Sequence, residues 1–140
     1  MIAYFDTSAI IPLIVDEPAS VDCERVWNEA ARVVGVRLLY AEARAALARA
    51  ERMGRVDDRQ LDGAITELDA LLDAVDYVEV TDHLVRVAGQ LAQDHALRGY
   101  DAVHLAAARS VADEDLVLIT GDRELAAAAL DLGLGVAETG

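Results

Sequence analysis

Asp6, Glu42, Asp101 and Asp122 are the residues of this chain best suited to chemistry, because their positions in the pattern could build one carboxylate cluster. Asp6 closes the apolar run 1–5, and Asp122 follows the run 116–120 with only Gly121 between. Each therefore stands just past the carboxyl end of an expected strand. Glu42 and Asp101 instead open helical stretches. In an open α/β sheet, ligands bind outside the carboxyl ends of the strands, and helices running back against those strands begin at the same edge. Four carboxylates meeting within about 5 Å would repel one another by on the order of 3 kcal/mol per pair at an effective dielectric of about 20. A divalent cation removes that repulsion, and an all-oxygen ligand set suits Mg²⁺ or Mn²⁺ rather than zinc. A cation held this way keeps waters that can serve as nucleophile, and it neutralises a phosphoryl oxygen. Phosphodiester hydrolysis is the reaction such a site serves best.

Each acid also has a purely structural reading. Asp6 precedes Thr7 and Ser8, and Asp and Ser are favoured at turns and helix N-caps, a role expected here of Ser8. A haloacid-dehalogenase-type nucleophile would need a second Asp two positions on, where Ser8 stands. Glu42 borders an apolar helix face made of Leu39, Ala43, Ala46, Leu47, Ala50 and Met53. A carboxylate at such a margin must be paired or ionise at a cost of several kcal/mol, unless it leans into solvent near the helix start. Asp101 opens a stretch apolar on nearly all sides, so it could be the anionic cap of a central helix. His104, one turn later, reads more readily as a hydrogen-bonded core residue than as a ligand, and His83 and His95 lack acidic partners at a suggestive spacing. Asp122 follows Thr120 and Gly121, a strand-ending hydroxyl and a free turn, and could simply cap the next helix.

The elements that must position these residues alternate. Strands are expected over 1–5, 32–37, 76–80, 116–120 and 135–137, and helices over 20–31, 39–53, 57–74, 82–97, 101–112 and 123–132. Gly54 and Gly133 stop two of these helices, Asp57 or Asp58 and Thr81 or Asp82 can cap two others, and Pro12 implies a short or kinked helix after Asp6. Strands interleaved with helices imply a three-layer α/β fold, a mostly parallel central sheet of four to five strands covered on both faces. Strand order is not readable from this pattern.

Composition narrows the function further. At 140 residues the chain is expected to form one domain, 1–140, without internal repeats or linkers. No apolar run reaches the roughly 18 residues of a membrane span, and the N-terminus lacks the basic flank of a signal peptide, so a cytoplasmic location is expected. Cys23 is the only cysteine, which rules out an internal disulfide and a thiolate-built zinc site. All 12 basic residues are Arg, which excludes Schiff-base chemistry and a Walker-type lysine. Against them stand 26 acids and a formal charge of -14, a field that repels nucleic acid and favours cations and basic protein partners. The exception is Arg44, Arg49, Arg52, Arg55 and Arg59, which form either a solvated, ion-paired face or a surface for RNA or a partner.

With these residues in view, the chain resembles the PIN domain, and more closely the ribonuclease toxins (VapC) of VapBC-type toxin-antitoxin pairs. The resemblance covers the whole chain. It rests on Phe-Asp-Thr-Ser-Ala at 5–9, Glu42 near the start of its helix, Arg-Gly-Tyr-Asp-Ala-Val-His-Leu-Ala-Ala-Ala at 98–108 and Leu-Ile-Thr-Gly-Asp-Arg-Glu-Leu at 118–125. It implies an Mg²⁺- or Mn²⁺-dependent endoribonuclease that inhibits translation or growth, with Asp6, Glu42, Asp101 and Asp122 as its acidic cluster and Ser8 and Thr120 supporting it. It implies, too, a homodimer and a small antitoxin whose C-terminal segment lies over the site. The family often has small hydroxyl residues before Glu42, where this chain reads Val-Arg-Leu-Leu-Tyr-Ala at 36–41. Two alternatives stay open: a flap nuclease acting on DNA, which usually carries insertions for which 140 residues leave no room, and a catalytically silent PIN scaffold that binds RNA or protein.

Overall fold

The computed structural model describes residues 1–140, which form one five-stranded sheet between two helical layers. The strands are β1 (Ile2–Phe5), β2 (Arg32–Val36), β3 (Val75–Val78), β4 (Leu116–Thr120) and β5 (Gly135–Glu138). They pair in the order β3-β2-β1-β4-β5, and all four pairings are parallel. Between them run α1 (Thr7–Ile10), α2 (Ser20–Glu29), α3 (Leu39–Arg52), α4 (Asp58–Leu72), α5 (Asp82–His95), α6 (Gly99–Ser110) and α7 (Arg123–Asp131). No helix is long and apolar enough to cross a membrane.

The period-two alternation of β1 divides the core between the two faces. Ala3 and Phe5 pack with Ala9, Leu39, Ala43, Leu47 and Leu68 under α1 to α4, whereas Tyr4 packs with Leu84, Leu91, Leu105 and Leu125 under α5 to α7. Both faces of the sheet are therefore buried, as a parallel sheet requires. Helix α6 is the most enclosed helix, with every residue from Ala102 to Ala108 buried, which its all-round apolar sequence anticipates. Pro12 acts as expected: α1 is one turn long and continues as a 3₁₀ turn, Ile11–Leu13.

Three local expectations need correction. Ser8 does not cap α1, because the cap position is Asp6 and Ser8 lies inside the helix. Asp101 is not the cap of α6 either: that helix starts two residues earlier, with Arg98 at the cap position, and Asp101 occupies its first turn. Met53 is 62% exposed and leaves the apolar face of α3, since the helix has ended at Arg52. The left-handed residues Gly54 and Gly133 stop α3 and α7 as their sequence implies, but α5 is stopped by Ala96, which adopts φ 53° without being glycine.

Candidate active site

Strand order places β1 beside β4, with the sheet continuing to β2 and β3 on one side and to β5 on the other. The crevice outside the carboxyl ends of β1 and β4 is thus the switch point at which open α/β sheets bind ligands. Asp6 and Asp122 flank it. The Asp6 N–H donates to the carbonyl of Ile119 at 3.1 Å, so the backbone leaving β1 stays tied to β4 for one further residue.

Two hydroxyls then fasten the two strand ends together. Asp6 is 5% exposed, and its Oδ2 accepts from Ser8 Oγ at 2.6 Å and from Thr120 Oγ1 at 2.9 Å. Thr120 Oγ1 in turn accepts from the Asp122 N–H at 3.0 Å, and Ser8 Oγ accepts from the Gly121 N–H at 2.9 Å. A Cβ at Gly121 would press to 3.3 Å on the Thr139 carbonyl and reach ordinary contact with Ser8 Oγ at 3.7 Å, so the turn is close-packed there. Asp122 spends one oxygen on α7, its Oδ1 accepting from the N–H groups of Glu124 and Leu125 at 2.9 and 3.1 Å, as an N-cap does.

Glu42 is not a solvated margin residue. Its Oε1 accepts from His104 Nε2 at 2.6 Å and from Thr7 Oγ1 at 3.1 Å. His104, 1% exposed on α6, also has its Nδ1 2.9 Å from the hydroxyl of buried Tyr4, and its Nε2 lies 3.4 Å from Asp6 Oδ1. Burial, then the charges of Asp6 and Glu42, push the Tyr4 phenol well above its usual value, so it stays neutral. Burial alone would disfavour a charged His104, but its hydrogen bond to Glu42 and the charges of Asp6, Glu42 and Asp101 outweigh it and raise its pKa. With neutral His104, Tyr4 donates to Nδ1; with protonated His104, Tyr4 accepts from it. In both states Nε2 carries the proton that faces Glu42, because two lone pairs could not meet at this distance.

Asp101 completes the group. Burial first, then the nearby charges of Asp122 and Asp6, raise its carboxyl above the ordinary range, against the smaller opposing pull of Arg98 and His104. The Arg98 guanidinium lies 3.6 Å away and is itself 85% exposed, so it offers little. Three of the four sequence-picked acids are joined through shared partners, Asp6 to the Asp122 backbone through Thr120 and Asp6 to Glu42 through His104, whereas Asp101 only feels the charges of Asp6 and Asp122. No three of the chain's His, Cys, Asp and Glu side chains close on a point as a ready-made chelate. Beside them opens a cavity of about 1120 Å³, lined in part by Thr7, Glu42, Arg49, Tyr100 and Asp101.

Sequence reasoning passed over Tyr4 and Thr7 and gave His104 no tie to a particular acid. A signal was present, since a buried tyrosine hydroxyl and a histidine on an otherwise apolar helix each need a polar partner. The basic stretch divides. Arg55 pairs with Glu17 and Arg44 stacks on Tyr40, whereas Arg49 has no acidic partner and faces the cavity.

A parallel α/β sheet with a carboxylate-built crevice at its switch point is the class to which fold and site assign this protein. Within that class the chain belongs to the PIN domain family, whose model matches residues 3–130. It is 39% identical over 136 residues to Ribonuclease VapC45 of Mycobacterium tuberculosis (strain CDC 1551 / Oshkosh), covering 97% of this chain and 94% of that protein. Among solved structures, PAE2754 from Pyrobaculum aerophilum superposes with a TM-score of 0.71 at 26% identity, covering 96% of this chain and 82% of the other. VapBC-1 from nontypeable Haemophilus influenzae, at 20% identity, shares the fold with a TM-score of 0.67 over 99% of this chain and 98% of its own.

Proposed function

We propose that this protein is a divalent-metal-dependent endoribonuclease and the toxin of a toxin-antitoxin pair. The observation that supports the reading is the coupling of Asp6 to Glu42 through His104 and to the Asp122 backbone through Thr120, with Asp101 lining the adjoining cavity, in a chain 39% identical to a VapC ribonuclease. The donor set fits Mg²⁺ or Mn²⁺, being all carboxylate and crowded with like charge. Asp6 Oδ1, Glu42 Oε2 and Asp122 Oδ2 accept no hydrogen bond from the protein, so one oxygen of each remains free to hold an ion. In this reading Asp6, Asp101 and Asp122 anchor the metal, and Glu42 completes the set or orients a water. When bound, the cation supplies charge neutralisation at the phosphoryl group and a lowered pKa for water.

The chain's own residues do the remaining work. Ser8 and Thr120 keep the Asp6 carboxylate turned into the crevice, and Arg49 and Arg98 along the cavity offer the RNA backbone cationic contacts that the global charge of -14 denies it elsewhere. The product expected from water attack is a 5′-phosphate. The same acidic surface suits an antitoxin that places a basic segment over the site, and a homodimer in the cytoplasm completes the reading. The test is Asp6→Asn, an isosteric change that removes charge. Mg²⁺-dependent cleavage of RNA should vanish while the circular-dichroism spectrum is unchanged; a variant that cleaves like the parent sinks the mechanism.

A further inference from the structure

We infer that His104 is a positioning residue for Glu42 of the acidic cluster, and that the Tyr4–His104 pair decides which oxygen of Glu42 faces a divalent cation. The inference rests on reading that cluster as a metal centre. It follows from where the imidazole sits. One nitrogen, Nε2, stands 2.6 Å from Glu42 Oε1 and 3.4 Å from Asp6 Oδ1, so it lies between an acid just past β1 and an acid on α3 that have no direct bond to each other. The other, Nδ1, is held by the Tyr4 hydroxyl at 2.9 Å, and the two rings meet edge to face at 82°. The imidazole therefore cannot rotate without losing a buried hydrogen bond.

The surroundings make a packing role alone an insufficient account. Every other residue from Ala102 to Ala108 on α6 is apolar and buried, so a leucine at 104 would suit the helix's packing but would leave the buried Tyr4 hydroxyl and Glu42 Oε1 without their partner. What leucine would lack is an N–H directed at a carboxylate. With that N–H, Glu42 Oε1 is occupied from behind by His104 and by Thr7, which leaves Oε2 as the outward oxygen. Without it, the Glu42 side chain is restrained only by the 3.1 Å bond from Thr7 and is free to swing. Partners that orient ligating groups in this way typically govern affinity for the ion by roughly 10- to 100-fold.

The experiment compares Mn²⁺ binding, measured by calorimetry, for the full-length parent, His104→Leu, His104→Gln and Tyr4→Phe, with metal-free thermal unfolding as a control for the fold. Glutamine places an N–H where Nε2 stands and leucine does not. His104→Leu should bind Mn²⁺ at least roughly tenfold more weakly, and His104→Gln should recover most of that loss, a pattern that packing volume alone would not produce. Tyr4→Phe, which keeps the ring and its packing, should fall between the parent and His104→Leu. A second measurement needs no variant: long-range ¹H–¹⁵N spectra of the parent, without metal and with Mg²⁺, should show His104 protonated at Nε2 in both conditions. Equal or tighter Mn²⁺ binding by His104→Leu or Tyr4→Phe overturns the inference, as does a bare Nε2, which keeps the test decisive if His104→Leu does not fold. A parent protein that takes up no Mn²⁺ overturns the metal-centre reading and this inference with it, whereas normal uptake with unaffected variants overturns this inference alone.

Discussion

Thr120→Val isolates the hydroxyl that fastens the two strand ends. Valine has nearly the same shape, and Thr120 is fully buried, so the change removes polar contacts without opening a cavity. Two contacts go: the 2.9 Å bond to the Asp6 carboxylate and the 3.0 Å bond received from the Asp122 N–H. A hydrogen bond to a charged group contributes about 1.5–3 kcal/mol and a neutral one about 1 kcal/mol, so the metal-free protein should lose about 2–4 kcal/mol. For a chain of this length that corresponds to a fall in Tm of roughly 6–15 °C. Trp27, the single tryptophan, packs edge to face on Phe5 of β1 with ring centroids 5.4 Å apart, so its fluorescence during urea unfolding in EDTA reports the relevant strand. The same variant should bind Mn²⁺ roughly 10- to 100-fold more weakly, because Asp6 is then oriented by Ser8 alone. A variant as stable as the parent, with the same Mn²⁺ affinity, would refute the idea that Thr120 holds the acid pair together.

Other outcomes follow from single features. Asp101 has a folded pKa raised by burial and by Asp122 and Asp6, so the fold favours its protonated form. That stabilisation is complete below the ordinary carboxyl value of about 4 and is lost as pH rises through the raised folded value. Asp101→Asn should therefore make the metal-free protein more stable than the parent at neutral pH, with the gap closing towards pH about 4 in urea titrations, while Mg²⁺-dependent cleavage is lost. Ala96→Gly should stabilise the protein by about 1 kcal/mol in thermal unfolding, because Ala96 holds φ 53° where only glycine is free of strain. Arg49→Gln should raise KM for RNA roughly fivefold, the worth of one exposed ion pair with phosphate, and leave Mn²⁺ affinity unchanged.

Much of the architecture was legible because it is written in local patterns. The run 116–120 is β4 to the residue, and the helices after Leu39, Asp82 and Arg123 begin where their patterns place them. That Asp6 and Asp122 stand at neighbouring strand ends, with Glu42 within reach of Asp6, was legible too, because strand ends and helix starts share an edge in a parallel sheet. Their partners were not. The bonds of His104 to Tyr4 and Glu42 join residues 100 and 62 positions apart, and no spacing in the sequence pairs one buried polar side chain with another across a sheet. The cap assignments failed for a related reason. Ser8 has the right type to cap a helix, but its hydroxyl is drawn to Asp6 and to the Gly121 N–H, 113 residues away. Strand order likewise depends on how crossovers pack, which no single segment reveals.

The clasp between β1 and β4 also has a consequence for the chain as it is made. The hydroxyl that aims the Asp6 carboxylate belongs to Thr120, 114 residues later in the chain, and Asp122 comes later still. Only when β4 slots in beside β1 do the first and last acids share a neighbourhood. A polypeptide ending before residue 116 would lack β4, Thr120 and Asp122, and so could hold no assembled centre. Assembly of the centre therefore waits on a contact between distant parts of the chain, a delay set by separation along the sequence.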